Sequence, residues 1–158
     1  MRIGVTGDTH GDLANIKRAV NALPDVDLWF HMGDFGSDFK KLVQLTGKHV
    51  DFVRGNCDIL GSEAPNELVV EYGGVKFFLT HGHIYNVNFG IQKLVYRAQE
   101  LNCQVALYGH THIPQIAMVG DVLVLNPGSP TRPLSDSGKT VGLLTIENHK
   151  AKAEVFKL

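Results

Sequence analysis

Short apolar runs alternate with stretches of helical periodicity through the first half of the chain, and closely spaced strands follow in the second half. Residues 3–6 are a short apolar run bounded by polar neighbours, which predicts a buried strand. Asp12 can cap a helix whose apolar stripe is Leu13, Ile16, Val20 and Leu23, spaced three or four apart, with Pro24 ending it. Residues 28–32 predict a second strand. Phe39, Leu42 and Val43 mark a shorter helix stopped near Gly47, and residues 50–53 predict the next strand.

Beyond Pro65 the pattern changes. Residues 68–72 and 75–80 flank Gly73-Gly74, which supplies the positive φ angles of a tight hairpin. Ile91, Leu94, Val95, Ala98 and Leu101 then share one helical face, and a strand over 104–108 follows. Strands over 115–119, 122–125, 140–146 and 151–156 complete the chain, joined in pairs through Gly120-Asp121 and Asn148-His149-Lys150. The segment 126–138, rich in Pro, Ser and Gly, predicts a loop. Crossover helices first and antiparallel strands later predict an α/β fold of two packed sheets with helices outside.

The 158 residues and 44% hydrophobic content are enough for one domain with a real core, expected over 1–158. Fifteen basic and 16 acidic residues nearly cancel, so no basic face points to nucleic acid or an anionic membrane. Two cysteines, Cys57 and Cys103, and no apolar leader or membrane-length run lead us to expect a cytoplasmic protein.

The chemistry lies where the strands end. Five apolar runs stop at a small residue and are followed at once by a possible metal ligand: Asp8, Asp34, Asn56, His81 and His110. Strand carboxyl ends share one rim in an open α/β sheet, so ligands far apart in sequence can converge there. Glycine before the ligand allows a sharp turn and close approach to a small ion. Asp8 and His10 are separated by one residue, as are His110 and His112. In extended chain that spacing points both side chains of a pair the same way. Taken singly, each Gly-Asp or Gly-Asn step is ordinary turn chemistry, but five after five strands are not. Two carboxylates, four imidazoles and an amide oxygen form a mixed N/O shell suited to Mn²⁺, Fe²⁺, Ni²⁺, Co²⁺ or Zn²⁺ rather than Ca²⁺. Seven ligands exceed the needs of one tetrahedral ion, and a shared aspartate would let two ions sit roughly 3.5–4 Å apart around a bridging hydroxide.

The motifs Gly7-Asp8-Thr9-His10, Gly33-Asp34, Gly55-Asn56-Cys57-Asp58, Thr80-His81-Gly82-His83, Gly109-His110-Thr111-His112 and Asn126-Pro127-Gly128-Ser129, in this order, resemble those of the calcineurin-like metallophosphoesterases. The resemblance is to the small single-domain phosphodiesterase branch of bacteria and archaea, and it runs from Arg2 to Phe156. It implies a four-layer α/β/β/α sandwich of two mixed sheets flanked by helices. It also implies two divalent transition-metal ions, manganese foremost, with nickel, iron, cobalt or zinc as alternatives. Asp8, His10 and His112 would hold the first, Asn56, His81 and His110 the second, and Asp34 would bridge them. Asp34, Asn56, His81 and His83 form the implied catalytic set, His83 either facing the phosphate or packing behind the ligands. His31 and Asp58 would orient the loops around Asp34 and Asn56, while His49 and His149 look like surface residues.

The implied activity is hydrolysis of a small phosphate ester, most readily a diester, by in-line attack of the bridging hydroxide. A phosphomonoesterase or nucleotidase, and a non-catalytic interaction module of the same fold, are the alternatives. Many members of the wider superfamily carry a leaving-group histidine where this chain has Cys57, which we expect to be a buried packing residue. Substrate recognition would fall to the loops 35–40, 85–90 and 130–137, where Arg132 can contact phosphate or remain solvated. Tyr85, Phe89 and Tyr96 are expected to be exposed and could support a homodimer or higher homo-oligomer.

Overall fold

The structure is a computed structural model and describes residues 1–35, 37–58 and 64–158. Gly36, part of the expected recognition loop at 35–40, lies outside the described residues. The strands are β1 (Arg2–Thr6), β2 (Leu28–His31), β3 (Val50–Phe52), β4 (Glu67–Tyr72), β5 (Val75–Thr80), β6 (Val105–Leu107), β7 (Gln115–Val119), β8 (Val122–Asn126), β9 (Thr140–Glu147) and β10 (Lys150–Lys157). The helices are α1 (Leu13–Ala22), α2 (Asp38–Thr46) and α3 (Gln92–Glu100).

Two five-stranded mixed sheets result, ordered β10-β9-β1-β2-β3 and β4-β5-β6-β8-β7. In the first, β1, β2 and β3 run parallel and β9 pairs antiparallel to β1. In the second, β5, β6 and β8 are parallel, with β4 and β7 antiparallel at the edges. Residues of alternate register from each sheet meet between them, with Ile3, Val5, Phe30 and Met32 against Phe77, Leu79, Leu107 and Leu125. The opposite face of the first sheet presents Trp29, Val50, Val141 and Leu143 to Ile16, Ala19 and Leu23 of the α1 region and Leu42 of α2. The opposite face of the second sheet presents Phe78, Ala106 and Val124 to Leu94, Val95 and Ala98 of α3. This is the four-layer α/β/β/α arrangement, each sheet burying both faces.

Local rules explain most boundaries. Asp12 caps α1 by accepting from the Asn15 amide at 3.1 Å, and Gly47 ends α2 at φ 64°. Gly4 pairs with Trp29, and a β-carbon at Gly4 would fall 2.5 Å from the indole, so the small residue is what lets the ring lie across β1.

Two expectations are corrected. Leu13 is exposed, because the buried face of α1 runs through Asn15, Ile16 and Ala19. Tyr85 is half-buried rather than exposed: its ring meets Phe78 edge-on at 5.9 Å and its hydroxyl donates to Glu67. Phe89 and Tyr96 are exposed as expected. Among the described residues no helix is long and apolar enough to cross a membrane.

Candidate metal centre

Five strands deliver the candidate ligands, but from two sheets rather than the one open sheet that the strand-end argument assumed. Asp8, Asp34 and Asn56 follow β1, β2 and β3 of the first sheet, while His81 and His110 follow β5 and β6 of the second. The rim is shared because the parallel strands of both stacked sheets end on the same side. The paired ligands also converge differently from the expectation. Asp8, His10, His110 and His112 have φ of 51°, 45°, 68° and 57°, so tight left-handed turns, not extended chain, aim each pair. Asp34 shares this conformation at φ 57°. Such backbone costs of order 1 kcal/mol or more per non-glycine residue, and its concentration here marks a functional site. Glycine serves close approach: a β-carbon on Gly55 would lie 2.1 Å from Asp34 Oδ1, and one on Gly109 would lie 2.9 Å from Asp8 Oδ2.

Asp8, His10, Asp34 and His112 each present one ligand atom, all within 4.8 Å of one another. His112 Nε2 stands 3.3 Å from Asp8 Oδ1 and 3.4 Å from His10 Nε2. A second group gathers on Asn56 Oδ1, which lies 3.0 Å from His81 Nε2 and 2.9 Å from His110 Nδ1. Asp34 stands between the two, its Oδ2 3.9 Å from His10 Nε2 and its Oδ1 3.4 Å from His81 Nε2.

Hydrogen bonds fix which atoms face the centre. The Nδ1–H of His81 donates to the Met32 carbonyl at 2.7 Å, and that of His112 to the Arg132 carbonyl at 2.6 Å, leaving each Nε2 as a lone pair. Asp8 Oδ2 accepts from the His110 amide at 3.0 Å, while Asp8 Oδ1 is buried with no hydrogen-bond partner among the described residues. Burial, then the Arg132 charge, lowers the His10 pKa; burial, then His81, lowers that of His110. The adjacent Asp8 carboxylate raises that of His112. For Asp34, burial opposes ionisation, but His81 and the Cys57 amide more than offset it and the pKa is lowered. Imidazole nitrogens, the ionised Asp34 carboxylate and the Asn56 amide oxygen therefore converge on one centre. Divalent transition-metal ions fit such a donor set.

Supporting residues hold the loops: His31 and Asp58 as the resemblance implies, and Asp38, which the sequence did not reveal as such. Buried Asp38, at the start of α2, accepts from Thr9 Oγ1 at 2.6 Å and the Gly11 amide at 2.8 Å, and pairs with Lys41 at 2.7 Å. An aspartate in a helix's first turn was the visible signal, but it reads equally as a dipole partner. His31 is fully buried and bonded on both nitrogens, to Thr9 Oγ1 at 3.0 Å and from the Gly33 amide at 3.3 Å. It thereby ties the Asp8 and Asp34 loops together. Ser129 Oγ donates to the Asp8 carbonyl and Asn126 to that of Gly109, both at 2.9 Å. Asp58 Oδ2 accepts from the Gly55 amide at 2.7 Å. His49 and His149 are exposed, bonded to Asp51 and to the Gly73 carbonyl respectively.

His83 lies beside the centre, its ring 5.4 Å from His81, with Nδ1 buried and unpartnered among the described residues. Cys57 is a correction: it is exposed, not a buried packing residue. Its amide is committed to Asp34 Oδ1 at 2.9 Å, which sets the turn and leaves the side chain at the surface. Desolvation of the sulfur, then Asp34, pushes the thiol pKa up to about 11.

The sequence profile of the calcineurin-like phosphoesterase superfamily domain matches residues 1–149. A phosphodiesterase of Methanocaldococcus jannaschii is 32% identical over 99% of this chain and 100% of its own length. The crystal structure of a predicted phosphoesterase from Streptococcus pneumoniae TIGR4 is similar at TM-score 0.81 and 34% identity, over 98% of this chain and 87% of that one. A zinc-complexed Vps29 of Entamoeba histolytica, at TM-score 0.77 and 22% identity over 99% of this chain and 98% of the other, shares the fold. With its ligand-bearing turns, two-sheet framework and relatives all in agreement, the chain belongs to the calcineurin-like phosphoesterase superfamily, among small bacterial and archaeal metallophosphoesterases.

Proposed function

We propose that this chain is a dinuclear-metal-dependent phosphodiesterase, working as one domain in the cytoplasm and cleaving a small phosphate diester by direct in-line displacement. The observation that carries the reading is the position of Asp34, whose two carboxylate oxygens each face a different ligand group. Asp8, His10 and His112 would hold one ion, Asn56, His81 and His110 the other, and Asp34 both. When bound, divalent ions supply Lewis acidity toward phosphoryl oxygens and bring the pKa of water into the neutral range. Manganese leads the candidates, and nickel, iron, cobalt and zinc suit the same donors.

The chain's own residues supply position and charge control. Met32 and Arg132 carbonyls hold the His81 and His112 rings in one tautomer. The unpartnered Nδ1 of His83 supports a role as donor to a phosphoryl oxygen, and with it a catalytic set of Asp34, Asn56, His81 and His83. Cys57 is a poor acid at about 11, so leaving-group protonation is weak and rates should climb steeply as the leaving group becomes more acidic.

The likeness to Vps29 motivates one rival, an interaction module of the same fold. Purified protein assayed on an activated aryl phosphodiester and the matching monoester, with and without Mn²⁺ or Ni²⁺, separates the readings. Metal-dependent turnover favouring the diester is expected. Absence of turnover with every metal would leave the module, and preference for the monoester would make the chain a phosphomonoesterase.

A further inference from the structure

Phe35 follows Asp34 directly and combines three features that seldom coincide. Its φ is 69°, in the left-handed region where a bulky side chain is strained. Its side chain is nonetheless 41% exposed, so core packing does not explain the conformation. The ring is also positioned: it stands edge-on to His10, centroids 5.6 Å apart at 62°, and a β-carbon at Gly11 would lie 3.6 Å from it. An aromatic face is therefore held in a costly backbone conformation beside a candidate metal ligand.

The rest of the rim has the same character. Ile84, Phe89, Ile113 and Leu134 are exposed, each on a loop that carries or braces a candidate ligand; Phe89 is 93% exposed and the neighbouring Asn88 amide lies 3.0 Å from His110 Nε2. Segments 81–90 and 109–116 contain no Lys, Arg, Asp or Glu. Arg132, which is exposed, and Arg54, which is half-buried, bring positive charge to His10 and His83 respectively. A polyphosphate or a long nucleic acid would need many more cations. A phosphodiester with one negative charge and an uncharged organic group suits two metals and an apolar rim.

Resting on the phosphodiesterase reading, we infer that the substrate is a phosphodiester whose retained, non-leaving ester group is aromatic and docks against the Phe35 ring while the phosphate sits on the metals. Phe35 is then a specificity residue: it contacts the ester group and takes no part in the bond changes. Ring-on-ring contact and the accompanying burial are expected to change selectivity by about tenfold.

The test keeps the leaving group constant. The manganese-loaded full chain is assayed on benzyl 4-nitrophenyl phosphate and methyl 4-nitrophenyl phosphate, both releasing nitrophenolate. Wild-type protein is expected to favour the benzyl ester about tenfold in kcat/KM. Phe35→Gly and Phe35→Asn, both at home at positive φ, should bring that ratio close to one with thermal midpoints at or above wild type. Phe35→Trp should retain it. Equal kcat/KM values in wild type, or an unchanged ratio in the glycine and asparagine variants, would overturn the inference. If neither ester is cleaved, the esterase reading fails separately. Calorimetric affinities for dibenzyl and dimethyl phosphate then decide the docking claim. The dibenzyl compound should bind about tenfold more tightly in wild type alone, and equal or undetectable binding refutes it.

Discussion

Asp8 and His112 stand in a part of the centre that the core encloses, whereas Asn56 stands exposed in the other part. On the enclosed side nearly every group has a second tether. Asp8 is held by the His110 amide and Ser129, His112 by the Arg132 carbonyl, and the turn bearing His10 by Asp38. On the open side only His81 is buried and tied to the backbone; His110 leans on the exposed Asn88 amide, and the Asn56 amide nitrogen has the Cys57 sulfur at 3.5 Å. Preorganised ligands bind without first being ordered, so the two halves should differ in metal affinity although their donor counts are similar.

The largest effect expected is from Asp34→Asn, which removes a charge facing both halves. Turnover of an activated diester should fall at least about a thousandfold, roughly 4 kcal/mol of barrier. Near-wild-type rates at saturating metal would show that the halves do not share this residue. Dialysis against a chelator should abolish turnover likewise, and added Mn²⁺ should restore it.

Calorimetric metal titration of the stripped protein sharpens the comparison directly. Two binding steps are expected, with the tighter one lost in His112→Ala and the weaker one in Asn56→Ala. Asp38→Asn, one layer further out, should weaken the tighter step about tenfold to a hundredfold and spare the weaker. Equal losses of both steps from each variant would mean that the halves form a single cooperative unit.

A smaller effect is the pH response of the metal-free fold. Burial lowers the His31 pKa below the ordinary 6.5, so the unfolded chain takes up the proton first. Its contribution to stability is complete above that value and is lost as pH falls through it toward the folded value. His10, His83 and His110 have the same sign, while His112, whose pKa is raised, has the opposite one. Thermal midpoints should therefore drop between pH 7 and 5, with a shallower slope in His31→Gln. An equal slope in that variant would remove His31 from the account. Smallest of all, Cys57→Ser should change turnover by no more than about threefold, because a thiol at about 11 contributes little acid catalysis. A hundredfold loss would give the thiol a direct role.

Features governed by neighbouring residues were legible in advance. The Asp12 cap, the Gly73-Gly74 hairpin and the apolar face of α3 depend on contacts within a few residues, and each stands in the fold as the pattern suggests. Leu13, Tyr85 and Cys57 were misread because exposure depends on what lies opposite, which periodicity and residue type do not specify. His31 and Asp58 were expected to brace the loops, but the contacts of Asp38 and Ser129 were hidden for a related reason. Asp38 reaches Thr9 across 29 positions, and Ser129 reaches Asp8 across 121.

The sequence by itself determined the element types, the strand-end location of the candidate ligands and the chemistry of the donor set. Backbone propensity and side-chain identity are local properties and travel with the chain. Tertiary structure alone decided that the ligand-bearing strand ends of both stacked sheets lie together, three ligands coming from one sheet and two from the other. It also decided that the ligand pairs converge through left-handed turns and that one half of the centre is enclosed while the other is open. Those outcomes depend on packing between residues a hundred positions apart, where burial and strain are set by the surroundings rather than by the residues themselves.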